Sequence, residues 1–128
     1  MNYLLDTHAL LWWLMADPRL SRTAKDVIDN AAFSRHVSAV SGFEIANKVH
    51  IGKLEQARPA VETFDVILVD AQLTKLNVTH AHALLAGTLE SPHRDPFDRL
   101  LAAQAMLEGL TLVTADRAFT SFDVPTLW

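Results

Sequence analysis

The chain has 128 residues, half of them apolar, a formal net charge of -4 and no cysteine. That length fits one domain, expected to span residues 1–128, with a sizeable core. The acidic balance argues against a simple DNA-binding module, though not against a nuclease with local basic residues, and the missing thiols exclude disulfides, cysteine nucleophiles and thiolate zinc sites.

Asn2–Leu5 is short and apolar and is predicted to be a buried strand ending at Asp6. Asp6 and His8 interrupt the N-terminal apolar run, no basic stretch precedes it, and no segment holds 18 consecutive apolar residues, so neither a signal peptide nor a membrane span is expected. A helix should follow from Thr7 to Ala16, closed before Asp17–Pro18, and Ser21 should cap a second helix running through Ala32. Val37–Val40 reads as the second strand. Ser41–His50 carries Phe43, Ile45, Ala46 and Val49 at helical spacing, with Gly52 as its stop. After Pro59, the residues Val61, Phe64, Ile67 and Leu68 again recur at helical spacing. Leu76–Val78 is a weak third strand, Thr79–Leu89 a helix and Ser91–His93 a loop. Asp95–Pro96 opens a strong helix through Phe97, Leu100, Leu101, Ala105 and Leu107 to Gly109. Leu110–Val113 is the clearest strand, and Val124–Leu127 a last one. Strands alternating with helices predict a three-layer α/β/α sandwich around a parallel sheet of four or five strands, with two helices in each of the second and third intervals.

In such sheets ligands bind beyond the carboxyl ends of the strands. Asp6, Glu44, Asp98 and Asp116 all follow apolar runs, and acids gathered at one sheet edge repel each other unless a cation joins them. Hard oxygen donors favour magnesium or manganese. Each acid also has a capping explanation. Asp6 is a good N-cap, unless Thr7 takes that place. Ser41 and Glu44 have capping-box spacing. Asp95 fits an N-cap, with Pro96 at the first helical position and Asp98 in the first turn, so Asp95 is assigned mainly to structure and Asp98 to the site. Asp116 lies three residues past Val113, where Thr114 is placed to orient a carboxylate. Thr7, Asp95 and Thr114 are the candidate supporting groups. Lys48, Arg94, Arg99 and Arg117 lie beside the acids and are candidate phosphate contacts, with surface ion pairing as the alternative for each.

The six histidines lack the i, i+4 spacing of a zinc site, and His8, beside Asp6, is the one worth following. There is no glycine-rich phosphate loop, no Gly-x-Ser-x-Gly elbow and no Cys–His pair. Trp12 and Trp13 are adjacent on one helix and must face different ways, so one of them is expected at an interface.

Four segments in order, Leu4-Leu-Asp-Thr-His-Ala-Leu-Leu-Trp12, Ser41-Gly-Phe-Glu-Ile-Ala-Asn-Lys48, His93-Arg-Asp-Pro-Phe-Asp-Arg-Leu-Leu-Ala-Ala-Gln104 and Leu112-Val-Thr-Ala-Asp116, resemble the successive motifs of PIN-domain proteins. The resemblance spans essentially the whole chain and is nearest to the VapC-type toxins of type II toxin–antitoxin pairs. Phe43 departs from it, since many relatives carry tryptophan there. The resemblance implies a PIN-like fold, a cytoplasmic Mg2+- or Mn2+-dependent endoribonuclease with Asp6, Glu44, Asp98 and Asp116 as its acidic site, hydrolysis by metal-activated water, a homodimer and a cognate antitoxin. Two readings compete with it: a receiver-like phosphoacceptor domain, disfavoured because no acid pair ends the first strand, and a non-catalytic interaction protein that keeps the fold.

Overall fold

Side-chain alternation along the first strand sets the layers. In β1 (Asn2–Leu5), Tyr3 and Leu5 enter one apolar cluster while Leu4 enters another on the opposite face. The computed structural model describes residues 1–128. With β2 (Ser34–Ser38), β3 (Thr74–Leu76), β4 (Thr111–Val113) and β5 (Thr126–Leu127), β1 forms an all-parallel sheet in the order β3-β2-β1-β4-β5. Seven α-helices surround it: α1 (Thr7–Leu14), α2 (Arg22–Ile28), α3 (Ala39–His50), α4 (Arg58–Glu62), α5 (Phe64–Asp70), α6 (His80–Thr88) and α7 (Pro96–Glu108). One face packs Leu10, Ile28, Ile45 and Leu68, from α1, α2, α3 and α5, on Tyr3, Leu5, Val37 and Val113. The other packs Leu101, Ala102 and Ala105 of α7, with Phe119 and Phe122, on Leu4 and Leu112. The three-layer α/β/α expectation holds, with five strands. No helix is long and apolar enough to cross a membrane.

The chain winds from β1 outward to β3, then returns to place β4 on the free side of β1. The order therefore reverses between β1 and β4, and a crevice at such a switch point is where open parallel sheets bind ligands. Register brings the strand ends level there. Leu5 lies opposite both Val37 and Val113, so Asp6, Ser38 and Thr114 come next at one sheet edge. The Asp6 amide donates to the Val113 carbonyl at 3.0 Å and continues the ladder one residue further.

Several predicted boundaries shift. The second strand is Ser34–Ser38, earlier than the expected Val37–Val40, because Val37 pairs with Leu5 and the Ser38 hydroxyl then accepts the Val40 amide at 3.0 Å. Ser38, not Ser41, caps α3, and the expected Ser41–Glu44 capping box does not form. The third strand, Thr74–Leu76, also lies earlier than expected, because Leu76 pairs with Ser38 where β2 ends. The first helix stops at Leu14, where Ala16 takes φ +50° and the Asp17 amide turns back to the Trp12 carbonyl at 2.8 Å. The second helix ends at Ile28 rather than Ala32, because the Asn30 amide bonds to the Val27 carbonyl at 3.2 Å. The last strand is only Thr126–Leu127. The helical pattern after Pro59 breaks at Thr63, so the second interval holds three helices rather than two, with a 3-10 turn at Glu55–Ala57 between α3 and α4. Trp12 and Trp13 do face different ways: Trp13 packs against the first cluster and donates its indole N–H to Asp29 at 2.9 Å, while Trp12 meets Trp128.

One buried cation ties an inner strand of the sheet to two helix ends. Arg35 on β2 is 1 % exposed and donates to the carbonyls of Ile28, Phe33, Ala71 and Gln72. Ile28 and Ala71 lie at the ends of α2 and α5, where carbonyls lack intrahelical donors. Methionine keeps much of the packing volume but none of the donors. Arg35→Met is expected to lower the unfolding free energy by about 3 kcal/mol in urea titrations; a loss below about 0.5 kcal/mol would show that the carbonyls find other partners.

Candidate active site

Asp6 comes out of β1 into the switch-point crevice and is buried. It caps α1, with Oδ1 accepting the Ala9 amide at 2.7 Å. Thr114 lies on the Asp6 side of the crevice, where its hydroxyl favours the ionised Asp6 carboxylate, and it accepts the Asp116 amide at 3.0 Å. Asp116 is exposed, and its Oδ1 caps the 3-10 turn Arg117–Ser121 by accepting the Ala118 amide at 2.9 Å. Capping and site placement are not alternatives here, because a carboxylate has two oxygens and each cap uses one.

Glu44 lies in the second turn of α3 and is half-buried. Thr7 donates its single hydroxyl proton to Glu44 Oε1 at 2.6 Å. The Ser41–Thr7 contact of 3.0 Å must then run from Ser41 to Thr7. Ser41 orients Thr7, and Thr7 orients Glu44. Thr7 was read as a possible cap, but its hydroxyl serves Glu44 while Asp6 keeps the cap.

Asp95 caps α7 as expected, accepting the Phe97 and Asp98 amides at 2.9 and 3.1 Å. That leaves the Asp98 side chain free of capping. Its Oδ2 accepts a hydrogen bond from His93 Nε2 at 2.7 Å, and the His93 ring stands edge-on to Phe122 at 5.8 Å. Sequence reasoning followed His8 instead. The available signal was that His93 opens the His93-Arg-Asp-Pro-Phe-Asp98 run, but a five-residue separation across a loop carries no periodicity.

The carboxylates feel one another. Burial pushes Asp6 from 3.8 up to about 6, with Asp98 adding repulsion; Thr114, the Ala9 amide and His8 pull the other way. Burial also raises Glu44, reinforced by Asp98 and Asp95 against Thr7 and Lys48. Asp98 is raised by burial, then by Asp95 and Asp116, against its bond from His93. Each group resists ionisation, and every added charge makes the next costlier. No three of the acidic and histidine side chains converge as a closed cation cage. Hard carboxylate oxygens around uncompensated charge nonetheless suit magnesium, which keeps several waters and uses few protein ligands.

The basic residues divide. The Arg99 guanidinium is already engaged: it donates to the carbonyls of Ala86, Leu89, Ser91 and His93, at 2.6 to 3.4 Å, and ties the loop before α7 to the end of α6. Lys48 lies one turn beyond Glu44 on α3, and Arg94 and Arg117 are exposed beside Asp95 and Asp116.

Folded Asp6 holds its proton up to about pH 6, whereas an unfolded aspartate releases it near its ordinary 3.8. The folded chain therefore binds more protons across that window, and the stability contributed by this group falls as pH rises through it. Asp6→Asn retains a capping oxygen. It is expected to stabilise the metal-free protein at about pH 7.5 by up to about 3 kcal/mol, a gain that fades toward pH 4. Urea denaturation of both proteins at the two pH values checks this; a less stable variant at the higher pH contradicts it. Arg99→Leu should cost at least about 2 kcal/mol in the same assay, by stranding part-buried carbonyls.

The PIN-domain family model matches residues 3–125. Ribonuclease VapC22 of Mycobacterium tuberculosis is 33% identical over 98% of this chain and 97% of its own length. Among solved structures, VapBC2 of Rickettsia felis, bound to a DNA fragment from its promoter, superposes with a TM-score of 0.75 at 19% identity, covering 99% of this chain and 98% of that one. A toxin–antitoxin complex from Klebsiella pneumoniae gives 0.64 at 20% identity, covering 99% and 97%. The two structural likenesses speak for the fold, and the motif order and full-length identity speak for the lineage: the chain belongs to the PIN-domain family, on its VapC branch.

Proposed function

We propose that this protein is a metal-dependent endoribonuclease, the toxin of a toxin–antitoxin pair, that hydrolyses RNA phosphodiesters with water. The observation that carries the reading is that Asp6, Glu44 and Asp98 lie near enough to the β1/β4 switch point to feel one another's charge, each raised by burial and by neighbouring carboxylates. Full-length identity to a ribonuclease supports the substrate class. Family membership sets the receiver-like alternative aside.

Asp6, Glu44, Asp98 and Asp116 would hold the ion, Mg2+ or Mn2+. When bound, the ion supplies Lewis acidity toward water and phosphate oxygens. The chain supplies position. Thr7 and Ser41 fix Glu44, His93 fixes Asp98, the Ala9 amide fixes Asp6, and Thr114 holds the backbone of Asp116. Lys48, Arg94 and Arg117 are placed to meet RNA phosphates on either side of the acids, where charge gives affinity without reading sequence. With no cysteine in the chain and no serine–histidine pair among the site residues, direct hydrolysis is favoured over a covalent intermediate. Structural neighbours that are toxin–antitoxin complexes support an antitoxin partner, and a homodimer follows from the same lineage.

Asp98→Asn and Asp6→Asn should each lower the rate of RNA cleavage by at least about 100-fold while circular dichroism stays native-like and unfolding stays cooperative, at no lower temperature than in the wild type. Chelation should stop wild-type cleavage, and added Mg2+ or Mn2+ should restore it. Full activity of both variants with added magnesium would remove these carboxylates from the chemistry.

A further inference from the structure

Beside the carboxylates, a cleft of about 250 Å3 is lined by Asp6, His8, Trp12, Ala115 and Asp116. His8 and Trp12 stand four residues apart on α1 and so project from one helix face. Their ring centroids are 5.6 Å apart and their planes are inclined by 35°. Trp12 is fixed from other directions. Trp128 meets it edge-on at 5.7 Å, and the Arg19 guanidinium lies 5.0 Å from its centroid. Arg19 is itself anchored by Asp17 at 2.8 Å. Trp12 is half-buried under these contacts, whereas the His8 ring is exposed. A flat ring is thus held open to solvent, backed by a braced indole, on the wall that also carries Asp6 and Asp116.

We propose that the His8–Trp12 shelf stacks one unpaired nucleobase of the RNA, next to the phosphate handled by the acidic site. This rests on the nuclease reading above. Unpaired bases are recognised by stacking on aromatic rings, and every base offers a π face, so the contact favours single strands without choosing a sequence. In a duplex the same face is covered by neighbouring bases. The cleft is sized for a single planar group, and its acidic wall favours a nucleotide, whose phosphate a cation can bridge to the carboxylates, over an acidic or apolar peptide. Stacking on His8 would fix the ribose–phosphate link to the base relative to Asp6 and Asp116, and would give this chain a preference for loops and single strands that its net charge does not supply.

The test uses the full chain in two arms. In an Asp98→Asn background that leaves RNA intact, a labelled ten-nucleotide single-stranded RNA is titrated with Mg2+ present, with Kd read by anisotropy and stacking by quenching of tryptophan fluorescence. His8→Ala should weaken binding roughly tenfold, His8→Phe should restore it, and replacing the bases by abasic sites should cost the parent protein the same factor but His8→Ala little more. Trp12→Leu, checked for a native melting transition, should abolish the quench. Equal affinity for His8→Ala and its parent, or equal affinity for base-bearing and abasic strands, overturns the shelf. In the second arm, cleavage kinetics in the wild-type background should show the His8→Ala loss mainly in KM. RNA cleavage with unchanged KM in His8→Ala overturns the shelf while the nuclease reading stands. Base-dependent binding to a wild type that cuts no RNA supports the shelf and overturns the nuclease reading.

Discussion

Negative charge that the fold draws together and partly removes from water is the constraint on which the rest of this structure depends. Asp6 is almost wholly buried, and Glu44 and Asp98 are half-buried, at the one place where the strand order reverses. Left alone, such groups take up protons and lower the stability of the ionised protein at neutral pH. A fold that keeps them there carries a local cost, and the compensations are visible: a backbone amide on Asp6, a hydroxyl on Glu44 and an imidazole on Asp98. Each compensating group also fixes an orientation. Hydrogen bonding alone leaves the mutual repulsion in place, and a divalent cation is the partner whose charge answers it.

The helix termini do double service. Asp6 and Asp116 each give one oxygen to a cap, which locks the chain's exit from β1 and β4. Asp95 takes the whole capping duty of α7, so Asp98, one turn later, is free to face the crevice. Arg99 then binds the loop that carries His93, through the carbonyls of Leu89, Ser91 and His93 itself. The cation that looked like a phosphate contact is what places the imidazole beside Asp98. The aromatic shelf extends the same economy along α1, whose first residues supply the cap, the Glu44 donor and the His8 ring within a single turn.

How much of this could be read from the chain follows physical lines. β1 with Asp6 and α7 with its Asp-Pro start and Gly109 stop were legible, because strand alternation, caps and a glycine at φ +67° are local signals. The entry to α3 was not. Ser38 and Ser41 are equally good caps in isolation, and the choice was made by sheet register, which pairs Val37 with Leu5. The break at Thr63 was hidden because Val61 to Leu68 keeps a helical pattern across it. Of the acidic quartet, Asp6 and Asp116 were legible as carboxylates just past strands, whereas Glu44 and Asp98 sit in the first two turns of α3 and α7, and their candidate status rests on the family's motif order. His93 was passed over, and the carbonyl partners of Arg99 were not foreseen, because both are set by a loop's path, which no spacing rule encodes.

The central claim is that these carboxylates form a cation site whose charge is otherwise uncompensated. Calorimetric titration of Mn2+ into the metal-free protein near pH 6, repeated in buffers of different ionisation enthalpy, tests it most directly. The account predicts saturable binding that releases protons, because Asp6, held partly protonated near pH 6, must ionise to ligate, with the affinity lost in Asp6→Asn and Asp98→Asn. Absence of binding, or binding that both variants retain unchanged, would contradict it.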